Sequence, residues 1–136
     1  MKRKLNCILL IDDDEPTNFL HKLVINEADC TEKVVVMEKG QEALDYLLSK
    51  QNGKYPQPDL IFLDINMPAM DGWEFLEHYK GLTIAQQGDV IVVMLTTSFR
   101  PDDIERAKGI KEVSCFKNKP LTVEIIQEIL DKYFAD

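Results

Sequence analysis

No uncharged apolar run in this chain of 136 residues is long enough to cross a bilayer, and no secretory leader with a small-residue cleavage site is present. No membrane association is therefore expected. The opening Met1-Lys2-Arg3-Lys4 is basic, but the apolar run after it is broken at Asp12-Asp13-Asp14, so it reads as a solvated lead-in to a strand. Cysteine is scarce as well: Cys7, Cys30 and Cys115 are an odd count without CxxC spacing. That excludes a disulfide framework and points to reduced core thiols in a cytoplasmic protein. Positive charge is also in deficit, with 16 Lys and Arg against 24 Asp and Glu, a net charge of -8. Direct nucleic-acid binding needs a basic face and is not expected, whereas a divalent cation or a basic protein surface is a compatible partner. Linkers, repeats and low-complexity stretches are lacking, so residues 1–136 are read as one domain with one core.

What is present is an alternation. Leu5 to Ile11 (LNCILLI), Glu32 to Met37, Leu60 to Leu63, Val90 to Leu95 and Val113 to Phe116 read as five short strands, several free of charge and buried on both faces. Between them lie helical patterns. Phe19, Leu20, Leu23, Val24 and Ala28 recur at helical spacing after Pro16, with Thr17 or a nearby Asp as cap. Gly40 to Lys50 carries the stripe Ala43, Leu44, Leu47 and Leu48 and stops at Asn52-Gly53. Trp73 to Tyr79 follows Asp71-Gly72, and Gly81 to Gly88 is polar and irregular. Pro101 to Lys108 forms a fourth helix, and a fifth, capped by Thr122, carries Ile125, Ile126, Ile129, Leu130, Tyr133 and Phe134. Five strands alternating with five helices predict an α/β fold, a parallel sheet doubly wound with helices on both faces.

The strand ends carry the chemistry. Asp12 and Asp13 follow the first strand, Asp64 the third, Thr96 the fourth and Lys119 the fifth. In a doubly wound sheet these ends share one edge, so groups distant in sequence converge there. Asp64 is followed by Met67-Pro68, which takes the chain out of the sheet into a tight loop. Converging carboxylates repel, by roughly 4 kcal/mol for a pair 4 Å apart at an effective dielectric of about 20. Lys119 offsets one charge. Mg²⁺ suits the rest, being a hard ion satisfied by a few carboxylates plus water and phosphate oxygens. No His or Cys cluster accompanies the acids, which argues against zinc. A carboxylate beside a divalent ion, a lysine and a hydroxyl is equipped for phosphoryl transfer, with Asp64 attacking phosphorus and Thr96 donating to an equatorial oxygen. His21 and His78 fall on helices away from the strand ends and read as surface or packing residues.

With these residues placed, the chain resembles the receiver domain of two-component response regulators, of the chemotaxis-response-regulator type that stands alone. ILLIDDDE (residues 8–15) matches the acidic-pair motif, LDINMPAMDG (63–72) the phosphoacceptor loop, MLTTS (94–98) the switch-hydroxyl motif and FKNKP (116–120) the lysine-proline motif. The resemblance spans essentially the whole chain. It implies a flavodoxin-like strand order 2-1-3-4-5, and Asp64 as the residue phosphorylated by a sensor histidine kinase or phosphotransfer protein. It implies Mg²⁺ held directly by Asp13 and Asp64, with Asp12 nearby through water and the backbone carbonyl of Asn66 as a further ligand. Thr96 would swing toward the phosphoryl group, with the ring of Phe116 following it. Lys119 would pair with that group ahead of a cis bond to Pro120. Phe116 stands where a Tyr is frequent, so a phenolic hydrogen bond is lost and a partner reads shape alone. Thr97 is bulkier than the Ala of many relatives. Asn66 and Ser98 occupy positions that tune the acyl-phosphate lifetime. A downstream protein target would read the face of helix 4, strand 5 and helix 5, counted in the five-helix reading.

Three rivals share parts of this pattern. A haloacid-dehalogenase-type phosphatase needs a second acid two residues after the nucleophile, where this chain has Asn66. A flavodoxin-like FMN module needs a phosphate loop after the first strand, where Asp12-Asp13-Asp14 would repel phosphate. A pseudo-receiver acting by contact alone would not need the full set of site residues.

Overall fold

The computed structural model describes residues 4–97 and 100–134. Its elements run β1 (Ile8–Ile11), α1 (Glu15–Ala28), β2 (Val34–Met37), α2 (Gly40–Leu48), β3 (Leu60–Leu63), α3 (Gly72–Lys80), α4 (Ile84–Gln87), β4 (Ile91–Thr96), α5 (Pro101–Lys108), β5 (Val113–Asn118) and α6 (Val123–Tyr133). All neighbouring strands pair in parallel, in the order β2-β1-β3-β4-β5. The doubly wound α/β sheet and the order implied by the resemblance are both found.

β1 and β3 are buried along their whole length because helices cover both faces. Alternate residues of each strand serve opposite layers. Leu9, Ile11, Ile61, Leu63, Val92 and Met94 pack with Ala43, Leu44 and Leu47 of α2 and with Phe75 and Leu76 of α3. Ile8, Leu10, Leu60, Phe62, Val93 and Leu95 pack with Ile25 of α1 and with Ile126, Ile129 and Leu130 of α6. β4 and β5 slip register between Val92 and Val93, an irregularity that leaves Thr96 opposite Asn118.

Three expectations are corrected. First, the polar stretch after α3 contains a helical turn, α4. Thr83 accepts from the Gln86 N–H while the Gln86 side chain accepts from the Thr83 N–H. This reciprocal cap closes one turn without any apolar period. Second, three of the five apolar positions expected on α1 do not face the core: Phe19, Leu20 and Leu23 are 64%, 56% and 51% exposed, whereas Val24 and Ala28 are partly buried against it. The inward face is Asn18, His21 and Ile25. Third, His21 is buried beside the strand ends instead of lying away from them, whereas His78 is exposed as expected. Cys7 and Cys30 are buried free thiols, and Cys115 is half-buried. None of the helices among the described residues is long and apolar enough to cross a membrane.

Candidate phosphoacceptor and metal site

β1 and β3 are neighbours in register, Ile11 beside Leu63, so the residues that follow them emerge together. The Asp64 N–H donates to the Ile11 carbonyl at 2.9 Å, and the Asp12 N–H to the Met37 carbonyl at 3.2 Å. The ladder therefore continues one step past the strands and fixes the backbones of both acids. Both side chains are buried, Asp12 being 5% and Asp64 6% exposed, while Asp13 faces solvent. Asp12, Asp13 and Asp64 each present a carboxylate oxygen within 4.8 Å of the others.

Lys119 crosses from the end of β5 to meet them. Its Nζ lies 2.5 Å from Asp12 Oδ2 and 3.2 Å from Asp64 Oδ1. The backbone beneath it is anchored to β4, because the Lys119 N–H donates to the Thr96 carbonyl at 2.8 Å. The next bond, Lys119-Pro120, is cis, as the resemblance implied. Burial and the Asp12 carboxylate push the Asp64 carboxyl above the usual range, and Lys119 only partly reverses this. Burial lowers Lys119, but its bond to Asp12 and the charges of both acids outweigh burial and raise it. The site thus holds a cation tightly and still carries excess negative charge.

The donor set fits a divalent ion. Every converging ligand atom is a hard oxygen, no thiolate or imidazole lies among them, and one of the three acids opens to solvent. Asn66, two residues after Asp64, is exposed in the loop. That loop closes sharply. Ala69 is left-handed (φ 66°), the Met70 N–H donates to the Pro68 carbonyl at 2.7 Å, and the Gly72 N–H to the Ile65 carbonyl at 2.8 Å. α3 then starts under a capping box in which Asp71 accepts from the Glu74 N–H at 2.8 Å and the Glu74 carboxylate accepts from the Asp71 N–H.

Thr96 is fully buried at the end of β4, on the strand next to Asp64. Phe116 pairs in register with Met94, packs against the layer of α2 and α3, and lines a groove of about 300 Å³ with Ile104, Ala107, Lys108 and Val113. Thr97 is exposed, and Ser98 lies outside the described residues. The structure therefore brings together Asp12, Asp13, Asp64 and Lys119, with Thr96 at the adjoining strand end.

Two residues beside the site were not foreseen there: Asn18 was not singled out, and His21 was expected to lie away from the strand ends. Asn18 Nδ2 donates to the Asp12 carbonyl at 2.8 Å, and His21 Nε2 accepts from the Leu121 N–H at 3.3 Å. Both sit on the inward face of α1, one turn apart. Their signal was spacing: with Asp14 as cap, Asn18 and His21 share a stripe with Ile25, although the apolar residues between them suggested another face.

Comparison with known proteins agrees with this architecture. A family model described as the response regulator receiver domain matches residues 8–131. Response regulator Rcp1 of Synechocystis is 31% identical over 115 residues, covering 82% of this chain and 75% of that protein. A two-component response regulator from Cytophaga hutchinsonii superposes with a TM-score of 0.83 at 30% identity, covering 96% of this chain and 97% of the other. The Mn(2+)-bound form of response regulator Rcp1 superposes with a TM-score of 0.75 at 26% identity, covering 95% and 94%.

Proposed function

The chain belongs to the response regulator receiver family, and on that premise we propose that residues 1–136 form a receiver domain that takes a phosphoryl group onto Asp64. The donor is the phosphohistidine of a sensor histidine kinase or phosphotransfer protein. One Asp64 oxygen attacks phosphorus and forms the O–P bond as the donor N–P bond breaks. The imidazole leaves with the bonding pair and takes up a proton. The observation that carries this reading is the convergence of three carboxylates on one lysine, with Nζ 2.5 Å from Asp12 and 3.2 Å from Asp64.

Asp12, Asp13, Asp64 and the backbone carbonyl of Asn66 are the residues that would hold Mg²⁺. When bound, the ion supplies neutralisation of charge on the transferring group. The Mn(2+)-bound relative supports this choice of cation class. The chain's own residues do the remainder. Ladder bonds hold the Asp64 backbone in place, Lys119 trades part of its hold on the carboxylates for a phosphoryl oxygen, and Thr96 donates to another. Asn66 and Ser98 set how long the acyl phosphate lasts. The domain assists its own phosphorylation and dephosphorylation and turns over no separate substrate.

Phosphorylation then biases a two-state equilibrium through Thr96 and Phe116. The surface it remodels is α5, β5 and α6, the helix 4, strand 5 and helix 5 of the sequence reading. A protein target binds there, and the groove beside Phe116 supports that choice. The setting is the cytoplasm, without direct contact to nucleic acid or membrane.

Incubation with Mg²⁺ and acetyl phosphate tests the proposal. The wild-type chain gains one hydroxylamine-labile phosphoryl group, and the Asp64→Ala variant gains none. Undiminished labelling of Asp64→Ala overturns the assignment, and a wild-type chain that takes no label from acetyl phosphate or a phosphorylated kinase acts by contact alone.

A further inference from the structure

We propose that His21 is a positioning residue for Lys119, acting through the backbone of the loop that carries it. The inference rests on the phosphoacceptor reading above and goes beyond it. The segment from Lys119 to Leu121 has two backbone donors, because Pro120 has none. The Lys119 N–H donates to the Thr96 carbonyl at 2.8 Å, and the Leu121 N–H to His21 Nε2 at 3.3 Å. One anchor is the end of β4 and the other is α1, so the lysine stem is held from both sides. Leu121 and His21 are both buried, which leaves the Leu121 N–H no solvent to turn to if the imidazole is lost.

The same helix face holds the other partner of the ion pair. Asn18, one turn before His21, donates Nδ2 to the Asp12 carbonyl at 2.8 Å. α1 therefore grips both loops whose side chains meet as Lys119 and Asp12. The residue type fits the task. A neutral imidazole with its proton on Nδ1 offers Nε2 as an acceptor without adding charge. A carboxylate here would compete for Lys119, and Lys or Arg could not accept at all. An amide at the right reach could.

The test uses the full-length chain and two variants, His21→Gln, which keeps an acceptor, and His21→Leu, which removes it. Two measurements are made: hydrogen exchange of the Leu121 amide without Mg²⁺ or phosphodonor, and the rate of phosphoryl incorporation from acetyl phosphate. The wild type shows a protected Leu121 amide and pyridine-type Nε2 in its ring-nitrogen shifts. His21→Leu loses that protection and slows incorporation roughly tenfold or more, the scale of small displacements of a catalytic group. His21→Gln restores both. An unprotected Leu121 amide in the wild type, full-rate incorporation by His21→Leu, or His21→Gln as slow as His21→Leu overturns the proposal. If His21→Leu does not fold, the wild-type ring-nitrogen shifts and Leu121 exchange decide it. Failure of the phosphoacceptor reading shows separately, as a wild-type chain that takes no label while its Leu121 amide remains protected.

Discussion

Lys119 touches two buried carboxylates at once, and that determines what its loss costs. Removing one partner from a buried ion pair leaves the other charge uncompensated, typically 3–5 kcal/mol. Lys119→Met should lower the urea midpoint accordingly in the presence of a chelator, and millimolar Mg²⁺ should return part of the loss. His21 has a pH signature of its own. Burial first, and Lys119 second, hold its imidazole below the ordinary value of 6.5, against a smaller pull from Asp12. The unfolded chain then binds a proton below about pH 6.5 that the folded chain resists. This part of the stability is present above pH 6.5 and is lost as pH falls toward the folded value. Asp64, raised in the fold, runs in the opposite sense, so the difference between wild type and His21→Gln isolates the histidine. Unfolding of His21→Gln should depend less on pH below about 6.5 than that of wild type. At this scale Asp12, Asp13, Asp64 and Lys119 were legible, because each follows a strand and a parallel sheet collects its carboxyl ends. Asn18 and His21 were not. Nothing in their chemistry distinguishes a polar residue buried to hold two loops from one on a wet helix face.

At the scale of elements, α1 shows how an apolar count can mislead. Its exposed Phe19, Leu20 and Leu23 outnumber its one fully buried aliphatic residue, Ile25. Leu23→Ser should change unfolding free energy by less than about 0.5 kcal/mol, as surface substitutions do. Ile25→Ala should cost roughly 2–5 kcal/mol. Equal costs in urea titration would show that the helix sits in another rotation. The start of α3 makes a second demand. A Cβ on Gly72 would fall 2.5 Å from the Asp64 carbonyl oxygen and 2.9 Å from Ile65 Cα, and both obstacles are backbone. Gly72→Ala must push α3 away from the backbone that follows β3. We expect a loss of about 1–3 kcal/mol together with slower phosphoryl incorporation. The Asp71-Gly72 pair was readable as a turn and helix start, but not as a contact with the backbone of Asp64. The turn α4 was missed because four residues offer no period to detect, only the Thr83 and Gln86 cap.

Over the whole molecule, the alternation of strands and helices was plain in the sequence because runs such as Leu60 to Leu63 are too short and too uncharged to be anything but buried strands. The order of those strands was not, since pairing partners leave no periodic mark; it came with the resemblance to the receiver family. The same assembly makes stability depend on metal. An ion that binds only the folded chain adds RT ln(1 + [L]/Kd), about 2.7 kcal/mol at a hundredfold excess over Kd. Thermal unfolding should therefore shift upward with Mg²⁺, and the shift should shrink in Asp13→Asn. No shift in wild type would argue against the cation site.

The alternation along the strands has one more outcome. Leu10 and Phe62 face α1 and α6, so Asp12 and Asp64, two residues further on, continue toward that wall. Val92 and Met94 face the opposite wall, and Thr96 continues toward it, on the side where Phe116 packs. The sheet is thus a partition, with the Asp12 and Asp64 carboxylates toward one wall and the Phe116 ring against the other. In the phosphoacceptor reading, the route from Asp64 to Thr96 runs over the rim, where the tips of β3 and β4 adjoin. If Asp64 takes the phosphoryl group as proposed, damage on the Phe116 side should leave phosphoryl uptake intact and lose the response, whereas damage at Asp64 should lose both.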